Sequence, residues 1–215
     1  MSKIRQNVYT MMFALVLGLT CAMLLTAAAE FTRPMQDKNK KAEEIRNVLS
    51  ALKVPFEPSA QPQELIDIFE RDVVEQSLGQ ENPLTLYVYQ PEGKDEIKAV
   101  AVRFVGPGLW GPVKGFLALE PDYKTIRGVT FYEQEETPGL GGEIVTEGFR
   151  SRFEGKQIAD ERGVWGIDIT AAGGESLKTN QIAGISGATM TCDKVEEMIN
   201  NVIKQLAEMR DADGR

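Results

Sequence analysis

IKAVAVRFVGPGLWGPVKGFLALEPDYKTIRGVTFY, residues 97–132, holds three runs of β-branched and aromatic residues: Ile97–Val105, Val113–Leu119 and Ile126–Tyr132. Gly, Pro and Asp turns separate them, which is the pattern of strands joined by short connections. Parallel neighbours would need long crossovers, so these strands pair antiparallel. A fourth run, Leu84–Tyr89, precedes them, and a fifth, Val164–Thr170, leads into an Ala172-Gly173-Gly174 turn. Helical spacing flanks the strands on both sides. Ile45, Val48, Leu49 and Leu52 put an amphipathic helix between about Asp37 and Pro55, and a short helix from about Pro62 turns Leu65, Ile66 and Phe69 inward. Val195, Met198, Ile199, Val202, Ile203 and Leu206 predict a last helix beginning just after Thr191. The expected fold is α+β, a largely antiparallel sheet packed with helices.

Before this domain, Val8–Ala29 is a run of 22 residues without charge. As a helix rising roughly 1.5 Å per residue it covers the about 30 Å of a hydrocarbon core. One N-terminal transmembrane helix is therefore expected. A cleaved signal peptide ending at Ala27-Ala28-Ala29 is the competing reading, and the apolar run is longer than a usual signal core. Lys3 and Arg5 precede the span, whereas Arg33, Lys38, Lys40 and Lys41 follow it, so charge alone does not orient it.

The 215 residues suffice for one ordinary domain plus this anchor. A net charge of −8 argues against a nucleic-acid partner. The chain has no histidine, which removes Ser-His-Asp and Cys-His catalysis, HExxH zinc sites and His-ligated haem. Two cysteines, Cys21 in the apolar run and Cys192 far from it, are too few for a zinc or iron–sulfur site of the chain's own. Cys192 reads as a small packing residue rather than a reactive thiol.

Three stretches can carry chemistry. Gly106-Pro107-Gly108-Leu109-Trp110-Gly111 matches G-x-G-x-x-G, but Pro112 and a strand follow where a dinucleotide fingerprint requires a helix. Trp110 there either lines a flat aromatic ligand or anchors the loop on the core. Glu133-Gln134-Glu135-Glu136-Thr137-Pro138-Gly139-Leu140-Gly141-Gly142-Glu143 lacks calcium-loop spacing. Its acids read as a solvated face, and its Thr-Pro-Gly-Leu-Gly-Gly core as a loop whose backbone can approach a ring system. Ser186-Gly187-Ala188-Thr189-Met190-Thr191 sets hydroxyls at a helix N-terminus, where unpaired N–H groups favour an oxygen acceptor or a phosphate; Thr189 or Thr191 as a simple cap is the alternative.

Together, the N-terminal span, Gly108-Leu109-Trp110, the Phe131–Gly142 segment and Ser186–Thr191 resemble, in order and over nearly the whole chain, the C subunits of Na⁺-translocating NADH:quinone reductases, members of the FMN-binding domain family. That family usually has Asp where this chain has Ala183. The resemblance implies FMN held on Thr191 by a phosphoester that a flavin transferase installs from FAD. It implies Ser186, Gly187, Ala188 and Thr189 around the phosphate. Thr137, Gly139, Leu140, Gly141 and Trp110 are then expected at the flavin or its ribityl chain. It further implies one-electron transfer between an intramembrane iron–sulfur centre and another FMN-bearing subunit, in support of Na⁺ export. The expected partners are the other subunits of a membrane redox complex, with the domain on the periplasmic side of the inner membrane. The expected division is 1–36 anchor, 37–210 FMN-binding domain and 211–215 tail. The flavin motif alone also fits the G subunit of Rnf-type ferredoxin:NAD⁺ complexes, and a flavin-free membrane scaffold is the third class.

Overall fold

A computed structural model describes residues 3–78, 84–94, 96–171 and 178–213. The chain forms two compact units, Met1–Lys41 and Ala42–Arg215. Helix α1 (Lys3–Ala51) begins in the first unit and exposes Phe13, Leu15, Leu19, Leu24 and their apolar neighbours there. Its 18-residue apolar window has a mean hydropathy of 2.2, so α1 is long and apolar enough to cross a membrane by length and composition. The helix expected from Asp37 is the last part of α1, not a separate element. No Gly or Pro follows Pro34 until the helix ends, so nothing in the sequence interrupts it. It ends where Lys53 adopts a left-handed φ of 54° and the Val54 N–H returns to Leu49 O at 2.9 Å.

The second unit begins with the end of α1 and with α2 (Pro62–Asp72), which starts on its proline as expected and buries Leu65. A five-stranded antiparallel meander follows in sequence order: β1 (Val73–Leu78), β2 (Leu84–Tyr89), β3 (Ala99–Pro107), β4 (Pro112–Leu119) and β5 (Ile126–Glu133). Val102 faces Leu117, and Leu117 faces Val129. β1 has no clear sequence signal, because in Val-Val-Glu-Gln-Ser-Leu only Val73 is buried. It forms because α2 runs straight into it and delivers Val74 opposite Val88.

Alternation along the strands supplies two apolar faces. Ala99, Ala101, Phe116 and Ala118 pack against Leu49 and Leu52 of α1 and Leu65 of α2. Val100, Val102, Phe104, Leu117 and Phe131 pack in the other core with α4 (Thr189–Asp213), through Val195, Met198, Ile199, Val202 and Ile203. Short helical turns at Gly141–Val145 and Ser151–Phe153 flank α3 (Glu147–Arg150) and bury Ile144, Phe149 and Phe153 in that same core.

The strand expected over Val164–Thr170 is confined to β6 (Asp168–Thr170), which pairs in parallel with β7 (Gln181–Ala183). The turn expected at Ala172-Gly173-Gly174 lies outside the described residues. Preceding Ile167 is bonded by a helix side chain instead of a strand. Its N–H donates to Asn200 Oδ1 at 2.8 Å and its carbonyl accepts from Asn200 Nδ2 at 2.9 Å. Glu196 Oε2 likewise accepts from the Ile169 N–H at 2.6 Å. Burial pushes the Glu196 carboxyl above the usual range, and the Ile169 N–H partly offsets that push.

Asn200→Ala strands both backbone groups of Ile167 and should lower unfolding free energy by about 1–3 kcal/mol, read by thermal denaturation. Glu196 has its folded pKa raised, so its stabilising contribution is complete below the unfolded value and is lost as pH rises through the folded one. Glu196→Gln keeps an acceptor for Ile169 and should therefore raise the melting temperature at pH 7, with no gain below about pH 4.

Candidate functional site

Three segments converge beside the start of α4. Gly108-Leu109-Trp110-Gly111 is the turn of the β3–β4 hairpin, closed by the Gly108 N–H to Gly111 O at 2.8 Å and by facing Pro107 and Pro112. The G-x-G-x-x-G match is thus a hairpin turn, as its sequence context requires. Glu136–Gly141 leaves β5 and folds back on itself, with the Gly142 N–H donating to Thr137 O at 2.9 Å. Gly187, with φ at +77°, turns the chain into α4.

α4 starts at Thr189, three residues earlier than the apolar spacing indicates, so Thr191 lies inside the first turn instead of before it. Periodicity marks only where the buried face begins, at Cys192 and Val195. Thr191 is 2% exposed, and its hydroxyl is not a cap: it donates to Glu136 Oε2 at 2.6 Å.

Glu136 corrects the expectation that the acids of this loop form a solvated face. Glu133 and Glu135 are exposed, but Glu136 is 5% exposed. Its Oε1 accepts from the Leu109 N–H at 2.7 Å and the Trp110 N–H at 3.2 Å, while Oε2 accepts from Thr191. The turn is set by Gln134, whose side-chain oxygen takes the Glu136 N–H at 2.6 Å and rotates this one acid inward. A run of acids in sequence gives no sign of that rotation.

The segments line a cleft of about 260 Å³. Of the residues expected at the site, Trp110, Thr137, Leu140, Gly141, Gly187, Ala188, Thr189 and Thr191 line it. Gly139, exposed with φ at +75°, turns the loop without reaching the cleft. Ser186 lines an adjacent cleft of about 300 Å³ with Thr170 and Cys192. Trp110 is 69% exposed, so it is not a core anchor. Cys192 is buried, and that burial pushes its thiol pKa up, which agrees with packing and not reactivity. Leu109, Met190 and Glu136, which are not among the residues expected at the site, also line the cleft. Leu109 and Met190 have a usable signal: both are large apolar residues inside the quoted motifs, and both are exposed, as are Trp110 and Leu140.

The cleft is smaller than a whole flavin, but its ends suit the two ends of one. Thr191 belongs to the first turn of α4, and the N–H groups of a helix's first turn attract a phosphate. The absence of a side chain at Gly187 leaves the approach narrow but clear. At the mouth, Leu109, Trp110, Leu140 and Met190 present apolar surface to a planar ring. The residues present therefore fit FMN.

A site of this construction defines an FMN-binding domain, and the sequence model so described matches residues 108–204, from the hairpin turn into α4. The C subunit of the Na⁺-translocating NADH-quinone reductase of Vibrio anguillarum is 30% identical, with 87% of this chain and 86% of that relative covered. Its counterpart in Haemophilus ducreyi is 28% identical over the same shares. Among solved structures, Shewanella oneidensis NqrC superposes with a TM-score of 0.64 at 26% identity, covering 75% of this chain and 91% of that one. The corresponding reductase protein from Parabacteroides distasonis gives 0.66 at 25% identity, covering 79% and 92%. The chain belongs to the NqrC family, the C subunits of Na⁺-translocating NADH-quinone reductases.

Proposed function

We propose that Thr191 carries FMN through a phosphoester and that the chain serves as an electron-transfer subunit of a Na⁺-translocating NADH:quinone reductase. The observation that supports this most is the place of the Thr191 hydroxyl: in the first turn of α4, on the wall of a cleft whose mouth is ringed by exposed apolar side chains.

When bound, FMN supplies one-electron redox chemistry between an intramembrane iron–sulfur centre and a second flavin-bearing subunit. This chain's own residues supply place and environment. Thr191 provides the tether, which prevents loss of the cofactor by dissociation. The first-turn N–H groups of α4 would hold the phosphate, with Gly187, Ala188 and Thr189 lining the cleft beside them. Ser186 shapes the approach from the adjacent cleft. Thr137, Leu140, Gly141 and Trp110 hold the flavin and its ribityl chain, and Gly139 sets the turn that presents Leu140.

In this proposal residues 1–36 anchor the chain in the inner membrane, residues 37–210 form the FMN-binding domain on the periplasmic side, and 211–215 are a tail. A flavin transferase loads Thr191 from FAD during maturation.

Flavin fluorescence on a denaturing gel, after co-expression with the transferase, tests the tether. The wild-type band should fluoresce and the Thr191→Ala band should be dark; two bright bands would place the flavin on another residue. Trp110→Ala and Leu140→Ala should keep the flavin on Thr191 while shifting its reduction potential, measured by spectroelectrochemical titration. Unchanged occupancy together with an unchanged potential would remove both residues from the flavin site.

A further inference from the structure

We infer that Glu136 is a positioning residue: in the chain before flavin attachment one carboxylate oxygen fastens the Gly108–Gly111 turn, the other fastens the Thr191 side chain, and the two walls of the cleft are thereby held in register. The exposed turn has little else to hold it. Leu109 is 42% and Trp110 69% exposed, so core packing does not fix their conformation. Their N–H groups instead converge on Glu136 Oε1 at 2.7 and 3.2 Å. The second oxygen goes not to its own loop but to Thr191, 55 residues further along the chain, at 2.6 Å. A carboxylate that served only its local turn would not span to α4.

The surrounding glycines are cut to the same group. A Cβ on Gly108 would sit 2.5 Å from Glu136 Oε1. A Cβ on Gly141 would collide with Thr191 Oγ1 and stand 2.8 Å from Glu136 Oε2. Two glycines on separate motifs thus make room for one buried carboxylate, and through it the hairpin turn, the Thr137–Gly142 loop and α4 meet. The consequence for the cofactor rests on the reading that Thr191 bears it. Phosphoester formation removes the Thr191 hydroxyl proton, so the bond to Oε2 belongs to the chain before loading, where it orients the oxygen that takes up the substituent; the bonds from the Leu109 and Trp110 N–H groups to Oε1 do not depend on that proton. The bonds to Leu109 and Trp110 then set where the apolar wall stands relative to that substituent.

Hydrogen exchange of the full-length, flavin-free chain reads the first half of this inference. In Glu136→Ala the Leu109 and Trp110 amides should exchange about tenfold faster or more, while those of β4 and β5 hold their wild-type rates. Glu136→Gln keeps an acceptor in the same place and should restore most of the protection. Should Glu136→Ala fail to fold, Glu136→Asp, whose carboxylate falls short of both walls, carries the same comparison. The second half is read on loaded chains, compared per molecule of attached flavin by intact mass. Flavin fluorescence anisotropy should fall in the Ala or Asp variant and recover in Gln. Unchanged exchange at Leu109 and Trp110, uniform acceleration through β4 and β5, or no recovery with Gln overturns the inference. A wild-type chain with no flavin on Thr191 defeats the attachment reading alone, because the exchange comparison is made without flavin.

Discussion

A carboxylate withdrawn from water must find donors, and Glu136 finds three: two backbone N–H groups of the β3–β4 turn and the hydroxyl of Thr191. All three are neutral, so the group is satisfied by placement and not by a countercharge. That requirement constrains everything around it. The hairpin must end at Gly108–Gly111, the loop after β5 must double back through Gln134, and α4 must begin early enough to offer Thr191 from its first turn. The sheet and its two helical layers supply the frame on which these three termini meet.

The same frame explains why the site lies at the edge of the sheet and not within it. β3, β4 and β5 send alternating residues into the two cores. Their connections are free to vary, and it is the turn between β3 and β4 and the loop after β5 that reach the N-terminal end of α4. α4 contributes twice: Val195, Met198 and Ile199 bury its face, while Thr191 at its start remains at the cleft.

Most of the fold is legible in the sequence because β2, β3, β4 and β5 are strongly apolar, α2 starts on a proline, and α4 repeats its buried residues at helical spacing. β1 and β7 are not, for two reasons. β1 buries only Val73 and owes its existence to the strand beside it, and β7 is three residues long with a parallel partner. The site divides in the same way. Motif residues such as Trp110, Leu140 and Thr191 are visible because they lie in the Gly-rich turns and the Ser186–Thr191 block that carry the resemblance. Glu136 is not, since its role follows from a turn that Gln134 makes and from contacts 26, 27 and 55 residues away.

The bracing of α4 has a consequence for any redox group hung from its first turn. Beyond Thr191, the side chains of Glu196 and Asn200 fasten the helix to the backbone of Ile169 and Ile167, and Met198 and Ile199 between them are buried in the core. A group tethered there hangs from a backbone that the core holds in place. A fixed point of attachment, rather than a driving force, is what such a mount contributes to the electron carrier proposed above.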